Sequence, residues 1–277
     1  MITIEVDKKT CKADARCVEI CPVQILRMNP EQRVPEFIPG GADLCINCGH
    51  CFASCPHGSI RLSSMSVEQA MPLDHAALPK PEQVELLLKG RRSIRLYKDE
   101  PVSKESVEKL LDIARYAPSG INRQPVNWAV VMGKEKVHDL SASVAKFMEE
   151  LINSKSPMAE SLRFDRLVES WKKGKDLICR DAPCVIIAYG LKDDSIAAQS
   201  CVISAEYLEL AAFGFGFGAC WAGYVSMAIN MSDEVRKFVG ISSRAQAGAA
   251  MMIGYAKYQY TRIPQRNPVC RVCRRFI

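Results

Sequence analysis

Four cysteines crowded into eleven residues constrain this chain more than any other feature. Cys45, Cys48, Cys51 and Cys55 stand at the spacing CxxCxxCxxxC, and Pro56 follows at once. Three thiolates at this spacing wrap one face of an iron–sulfur cubane, while the fourth points to the other cluster of a two-cluster module. A tetrahedral zinc site is the rival reading, and so crowded a run fits it poorly. A second Cys-Pro run lies upstream, at Cys11, Cys17 and Cys21-Pro22. Each run is followed by a short apolar stretch, CPVQILRM at 21–28 and CPHGSIRL at 55–62, so the segment reads as a duplicated metal-binding unit. In the first copy Cys11 and Cys17 keep the register, but Asp14 stands where the second copy has Cys48.

The remaining composition narrows the class. Of 13 cysteines, seven lie in the first 55 residues and none recurs until Cys179. The N-terminus MITIEVDKKT carries four charges and no apolar core of a secretory leader, so the thiols are expected in a reducing cytoplasm, where clustered cysteine means metal or redox chemistry. No apolar stretch approaches the roughly 20 residues of a spanning helix, so no membrane partner is expected. A chain 48% hydrophobic and 25% charged is globular rather than disordered, and 277 residues at about 150 per domain suit two unequal domains. The net charge of +6 sits largely in the tail, where Arg262, Arg266, Arg271, Arg274 and Arg275 fall in the last sixteen residues. Such a tail is more often a solvated terminus or an anion site than a nucleic-acid arm, and no nucleic-acid partner is expected.

The chain divides into a Cys-rich domain (1–64), a linker holding several prolines (65–81) and a larger domain (82–277). The larger domain opens on PEQVELLLKG, a helix started by Pro81, and continues with a helix capped by Ser103 whose apolar face is Val107, Leu110, Leu111 and Ala114. NWAVVMG (127–133) and CVIIAYG (184–190) read as buried strands, 196–213 as a long apolar helix, and GACWAGYV and GAAMMIGYA as further strand candidates. The fold class is α+β. The charged segment 134–181, with Phe147, Phe164 and Trp171, is the candidate lid over a substrate site. Cys179, Cys184, Cys201 and Cys220 lie in apolar patterns and read as core. Gly214, Gly216 and Gly218 imitate a dinucleotide-binding loop but follow a helix with the wrong final spacing. Cys270 and Cys273 form a terminal CxxC that reads first as two ordinary thiols, the alternatives being a redox pair or a metal shared across a dimer.

By its cysteine runs, the first domain resembles a bacterial-type two-cluster ferredoxin. That resemblance implies one cluster on Cys11, Cys17 and Cys55 and another on Cys45, Cys48, Cys51 and Cys21. At the first cluster it leaves two states open, a 4Fe-4S cubane with Asp14 as a labile ligand or a 3Fe-4S core with Asp14 beside it, a carboxylate being a harder ligand than thiolate. The second domain is similar to the nitroreductase family, an FMN-dependent α/β/α fold, through GRRSIRLYKD (90–99), YAPSGINRQPVNW (116–128), CWAG (220–223) and IGYAK (253–257). The resemblance implies that Arg91, Arg92 and Ser93 meet the FMN phosphate and ribityl chain, with Arg262 or Arg266 closing the phosphate end. It sets Pro118, Ser119, Asn122 and Gln124 in a flavin-edge motif, Asn122 placing its amide against the isoalloxazine. Arg95 and Arg123 are candidates for the cation that meets charge at the reduced ring. Trp221, Ala222 and Gly223 belong to a close approach on the N5 side, and Lys257 is a further candidate.

The expectation is an oxidoreductase that passes electrons from a low-potential donor (ferredoxin, flavodoxin or NAD(P)H) through the clusters to FMN. FMN then reduces a small organic molecule such as a nitroaromatic or quinone. The resemblance also implies a homodimer with the 196–213 helix at its centre. The rival is a redox-partner module with no organic substrate of its own.

Overall fold

The computed structural model describes residues 2–268; Cys270, Cys273, Arg271, Arg274 and Arg275 lie outside the described residues. Two compact units make up the chain: Met1–Leu78 together with Ser119–Arg123, and the remainder.

The first unit is two near-copies of one turn. Strand β1 (Ile4–Val6) leads to a single helical turn, α1 (Arg16–Glu19), then to the hairpin of β2 (Leu26–Met28) and β3 (Pro35–Phe37). A second turn, α2 (His50–Ala53), leads to β4 (Ile60–Leu62), which pairs antiparallel with β1. The duplication read from the cysteines extends to the backbone. Ala13, Ala15 and Gln24 have φ of 53°, 59° and 56°, and their counterparts Asn47, Gly49 and Gly58 have 51°, 73° and 59°. Each pair has the separation of Cys17 from Cys51. Left-handed backbone costs a side-chain-bearing residue about 1–3 kcal/mol, so its recurrence at matched points marks a loop shape imposed by what the cysteines hold. The apolar core beneath is small, with Cys17, Ile25, Leu26, Val34, Ile60 and Leu62 buried. The stretch read as a linker holds two short 3-10 turns, Val67–Gln69 and His75–Ala77, capped by Ser66 and Asp74.

The second unit is a three-layer sandwich. Helices α3 (Pro81–Gly90) and α4 (Lys104–Ala114) come first, the latter capped by the Ser103 hydroxyl, which accepts from Ser106 N–H at 3.1 Å. Then follow β5 (Asn127–Met132), the helices α5 (Lys134–Asn153), α6 (Pro157–Ser161) and α7 (Phe164–Lys172), and β6 (Cys184–Leu191). The chain finishes with α8 (Ala197–Gly214), β7 (Gly218–Trp221), α9 (Gly223–Met231), α10 (Asp233–Phe238) and β8 (Ala245–Gly254). The sheet is antiparallel, in the order β5-β6-β8-β7. Both its faces are covered, which is why its strands read as continuous apolar runs. On β6, Cys184, Ile186 and Ala188 face the layer of α4 and α8, and Val185 and Ile187 face α5, α7 and α9. All four mid-chain cysteines are buried, as their apolar settings predict.

Two expectations need correction. Segment 134–181 is not a lid: Phe147 and Phe164 are core residues beneath the sheet, because α5 and α7 each bury a full apolar stripe. GACWAGYV is strand only through Trp221, after which GYV opens α9. The glycines after α8 form a helix stop, Gly216 taking φ 81° while Phe217 N–H closes on the Ala212 carbonyl. Gly248 has a packing reason. A Cβ there would overlap the Cβ of Cys201, so its absence lets α8 lie directly on β8.

Candidate redox site

The cluster-facing groups separate into two cavities. Cys21, Cys45, Cys48 and Cys51 line one, with Ile25, Leu26 and Phe37 as apolar walls. Cys11, Asp14, Cys17 and Cys55 line the other. Each Cys-Pro cysteine therefore stands in the cavity of the opposite run, because the single turns α1 and α2 carry Cys21 and Cys55 across the unit. All seven thiols are free. Among the described residues no three His, Cys, Asp or Glu side chains converge tightly enough to hold a single ion. The thiols surround a volume instead, which suits a polynuclear cluster better than tetrahedral zinc. Burial pushes the Cys51 thiol up to about 11 and raises that of Cys17. Cluster assembly therefore has to drive protons off both, and metal loading releases them. Ser59 N–H donates to Cys55 Sγ at 3.4 Å.

Asp14 lines its cavity and also holds Arg16: its Oδ2 lies 3.3 Å from Arg16 Nε, and its Oδ1 accepts from Arg16 N–H. The two cluster-loop histidines, His50 and His57, are exposed.

The segment GRRSIR runs along the edge of the sheet. Ser93 bridges Ala219 in parallel, and Ile94 N–H donates to the Ala219 carbonyl at 2.8 Å. Ser93 and Arg95 line a cleft of about 160 Å³ with Tyr258 and Tyr260. The two leading arginines divide their work. Arg91 Nη1 donates to Oε1 of Glu209 at 2.8 Å, and Glu209 Oε2 accepts from Trp221 Nε1, also at 2.8 Å. Arg91 is thus held by a carboxylate on α8 that is 1% exposed, not turned to an outside anion. Arg92 donates through Nη2 to the Lys89 carbonyl, and its buried Nε has no hydrogen-bond partner. A buried guanidinium donor left unpaired costs about 1–3 kcal/mol, and a phosphate oxygen is the acceptor that suits it. On this test the residues present fit FMN.

Ala222 is buried, its N–H bonded to the Ala250 carbonyl at 2.7 Å, and Gly223 starts α9. Lys257 lies with Arg180, Lys134 and His138 around a separate cleft of about 780 Å³. Arg262 and Arg266 are exposed beyond β8. Pro118 ends the turn after α4, and Ser119 begins the 3-10 turn Gly120–Asn122. Ile121, Asn122 and Gln124 are left-handed, at φ 46°, 54° and 48°, and Arg123 is exposed. The Asn122 amide does not wait for a ligand. Its Nδ2 donates to the carbonyls of Ile46 (3.2 Å) and Asn47 (2.8 Å), the two residues between Cys45 and Cys48. Sequence reasoning missed Glu209. The available signal was that Glu206 and Glu209 are the two charges in the eighteen-residue apolar helix α8.

Residues 88–255 match the nitroreductase family, and residues 9–59 match the 4Fe-4S dicluster domain. A protein of Archaeoglobus fulgidus that carries the name NADH dehydrogenase/NAD(P)H nitroreductase is 28% identical over 167 residues, covering 60% of this chain and 82% of its own. Among solved structures, a nitroreductase with bound FMN from Bacteroides fragilis superposes with a TM-score of 0.55 at 20% identity, over 68% of this chain and 95% of that one. Another with bound FMN, from Desulfitobacterium hafniense, gives 0.54 at 24% identity, over 69% and 96%. At these identities the likeness is one of fold.

Proposed function

The chain belongs to the nitroreductase family, and from that premise we propose that it is an FMN-dependent reductase fed with single electrons through two iron–sulfur clusters. The observation that carries this reading is the partition of seven thiols and Asp14 between two cavities in a unit with little other core. Cys21, Cys45, Cys48 and Cys51 would hold one 4Fe-4S cluster. Cys11, Cys17 and Cys55 would hold the other, with Asp14 completing a labile cubane or standing beside a 3Fe-4S core.

Arg92 and Ser93, with Arg262 or Arg266, are the donors for the FMN phosphate and ribityl chain. Arg91 supports them from behind through Glu209. Arg95 and Arg123 supply positive charge to the reduced ring, which favours its reduction. Ala222 and Gly223, small residues after Trp221, leave room for a planar ring, and Pro118, Ser119 and Gln124 complete the set; Asn122 and Lys257 stand apart from it, the Asn122 amide on the Cys45–Cys48 loop and Lys257 in the separate cleft. Bound FMN exchanges electrons singly or in pairs, and so couples one-electron donors to a two-electron reduction. No side chain is assigned as a proton donor, which leaves water in that role. The electron donor is of low potential, a ferredoxin, flavodoxin or NAD(P)H, and the acceptor is a small organic molecule such as a nitroaromatic or quinone. A second copy of the chain suits the outer side of α8, where Val202, Tyr207 and Phe213 are exposed on a helix apolar all round. Among the described residues no helix is long and apolar enough to cross a membrane.

Anaerobic purification followed by iron, sulfide and flavin analysis tests the reading. About eight irons and one FMN per chain are expected, or about seven irons if the Asp14 site holds three. Protein with clusters but no flavin, and no quinone or nitroaromatic turnover, refutes it.

A further inference from the structure

We propose that the cleft beside the first turns of α5 is a binding site for a nucleoside phosphate, with Arg180 and Lys257 as its phosphate partners. The proposal stands independently of the flavin reading, and every residue in it belongs to the second unit.

This cleft, of about 780 Å³, is within the size range of small-molecule sites and larger than a bare ion fills. Both signs of charge line it. Lys134, Arg180 and Lys257 are cations, and Glu135, Asp139 and Asp181 are acids. Elsewhere on this unit exposed charges meet at close range, as Lys146 meets Glu234 and Lys172 meets Glu149. In the cleft only Lys134 has an ion pair, with Asp99 at 2.6 Å; among the described residues the other five form none. Opposite charges that share a cleft without meeting suit a ligand with acceptors for one set and donors for the other. A nucleotide has both: its phosphate takes an arginine fork and an ammonium group, and its ribose hydroxyls donate to carboxylates. Leu96 and Tyr97 supply an apolar wall for the base, the Tyr97 ring being held by its hydroxyl, which donates to the Ile94 carbonyl at 2.7 Å.

The loop that carries Arg180 is tied down from beneath. Asp176, 5% exposed, accepts from the N–H groups of Ile178 (2.7 Å), Cys179 (2.9 Å) and Asp181 (3.3 Å), and from the Ser141 hydroxyl on α5 (2.9 Å). Above it Arg180 and Asp181 are left-handed in succession, at φ 61° and 52°. Each costs about 1–3 kcal/mol in that region, and the bonds to Asp176 hold them there. The result is an arginine fixed at the cleft wall with no carboxylate partner of its own.

The test is calorimetric titration of the full-length protein, purified anaerobically with its cofactors, using adenosine diphosphate as the probe. One site per chain is expected, with a dissociation constant below about 1 mM. Inorganic phosphate and adenosine, each lacking part of the contacts, should bind at least about tenfold more weakly. Arg180→Ala should weaken the probe by about tenfold or more, and Lys257→Ala by about three- to tenfold. Arg180→Lys, which keeps the charge and loses the fork, should fall between native and Arg180→Ala. Arg166→Ala, an exposed change on α7, should leave the affinity native. Two sources carry this chemistry, a free nucleotide and the adenosine half of a nicotinamide dinucleotide. Competition by the oxidised dinucleotide identifies the second and its absence the first, and either result supports the site. No measurable binding, equal affinity for inorganic phosphate, release of FMN as the probe binds, or native affinity in both Arg180→Ala and Lys257→Ala overturns the proposal. Protein that lacks FMN yet binds the probe keeps it while removing the flavin reading.

Discussion

Replacing Glu209 isolates a part of the site that no motif announces. Its carboxylate is buried on α8 between Arg91 and Trp221, each donating at 2.8 Å. The side chains of the pair are 22% and 2% exposed. Removing one member of a buried ion pair costs about 3–5 kcal/mol; Arg91 retains some access to water, so Glu209→Ala should fall near the lower end, at about 3 kcal/mol. Glu209→Gln keeps the shape and one acceptor but loses the charge, and should cost about 1.5–3 kcal/mol. Arg91→Ala strands the carboxylate with the indole alone and should cost as much as Glu209→Ala. The double replacement should then cost about 2 kcal/mol less than the sum of the singles. Urea unfolding followed by tryptophan fluorescence reads this cleanly, since Trp128, Trp171 and Trp221 all lie in the second unit while iron absorbance reports the first. A cost below about 1 kcal/mol for Glu209→Ala, or strict additivity in the cycle, would refute the reading of Glu209 and Arg91 as a coupled buried pair.

Other outcomes follow from the same geometry. Arg92→Ala should weaken FMN retention by about tenfold or more without lowering the stability of flavin-free protein, because the lost guanidinium has a donor that only a ligand satisfies; equilibrium dialysis against FMN and urea unfolding decide it. Burial and the neighbouring Glu209 raise the Glu206 carboxyl above its usual range. Folding therefore favours its proton, and the ionised form costs stability at neutral pH. The gain from Glu206→Gln should be largest near pH 7 and vanish below the unfolded value, near pH 4, in paired unfolding curves. Gly248→Ala should destabilise the second unit by about 1–3 kcal/mol, since α8 must move off β8; unfolding midpoints of the two proteins measure it. Chelation of iron should melt the first unit, seen as loss of its circular dichroism, while tryptophan fluorescence from the second persists.

Much of this was legible in the residues. The cysteine runs announced two clusters, and the matched left-handed positions show that the repeat extends through the backbone. The helix started by Pro81, the cap at Ser103 and the strands β5, β6 and β8 formed where local chemistry placed them, β6 and β8 buried as expected but β5, at the sheet edge, burying only Val131. The misread stretches share one cause. Phe147 and Phe164 sit among charges in sequence, yet a helix separates its faces, and only the sheet shows which face is inside. Likewise GYV, apolar enough for a strand, opens a helix because the chain turns at Ala222 once β7 has paired with β8.

The sequence by itself determined the chemistry: how many thiols, which arginines, what cofactors they suit. Such patterns are local, set by spacing along one backbone. The crossing of Cys21 and Cys55 to opposite cavities was already in the cysteine spacing; only the fold turned Arg91 to a buried Glu209 and left Arg92 with an unmet donor. It also gave the Asn122 amide to the Cys45 loop, seventy-five residues away. The reason is that a hydrogen bond or an ion pair is settled by distance and desolvation at the folded site, and no residue carries that information in its own neighbourhood.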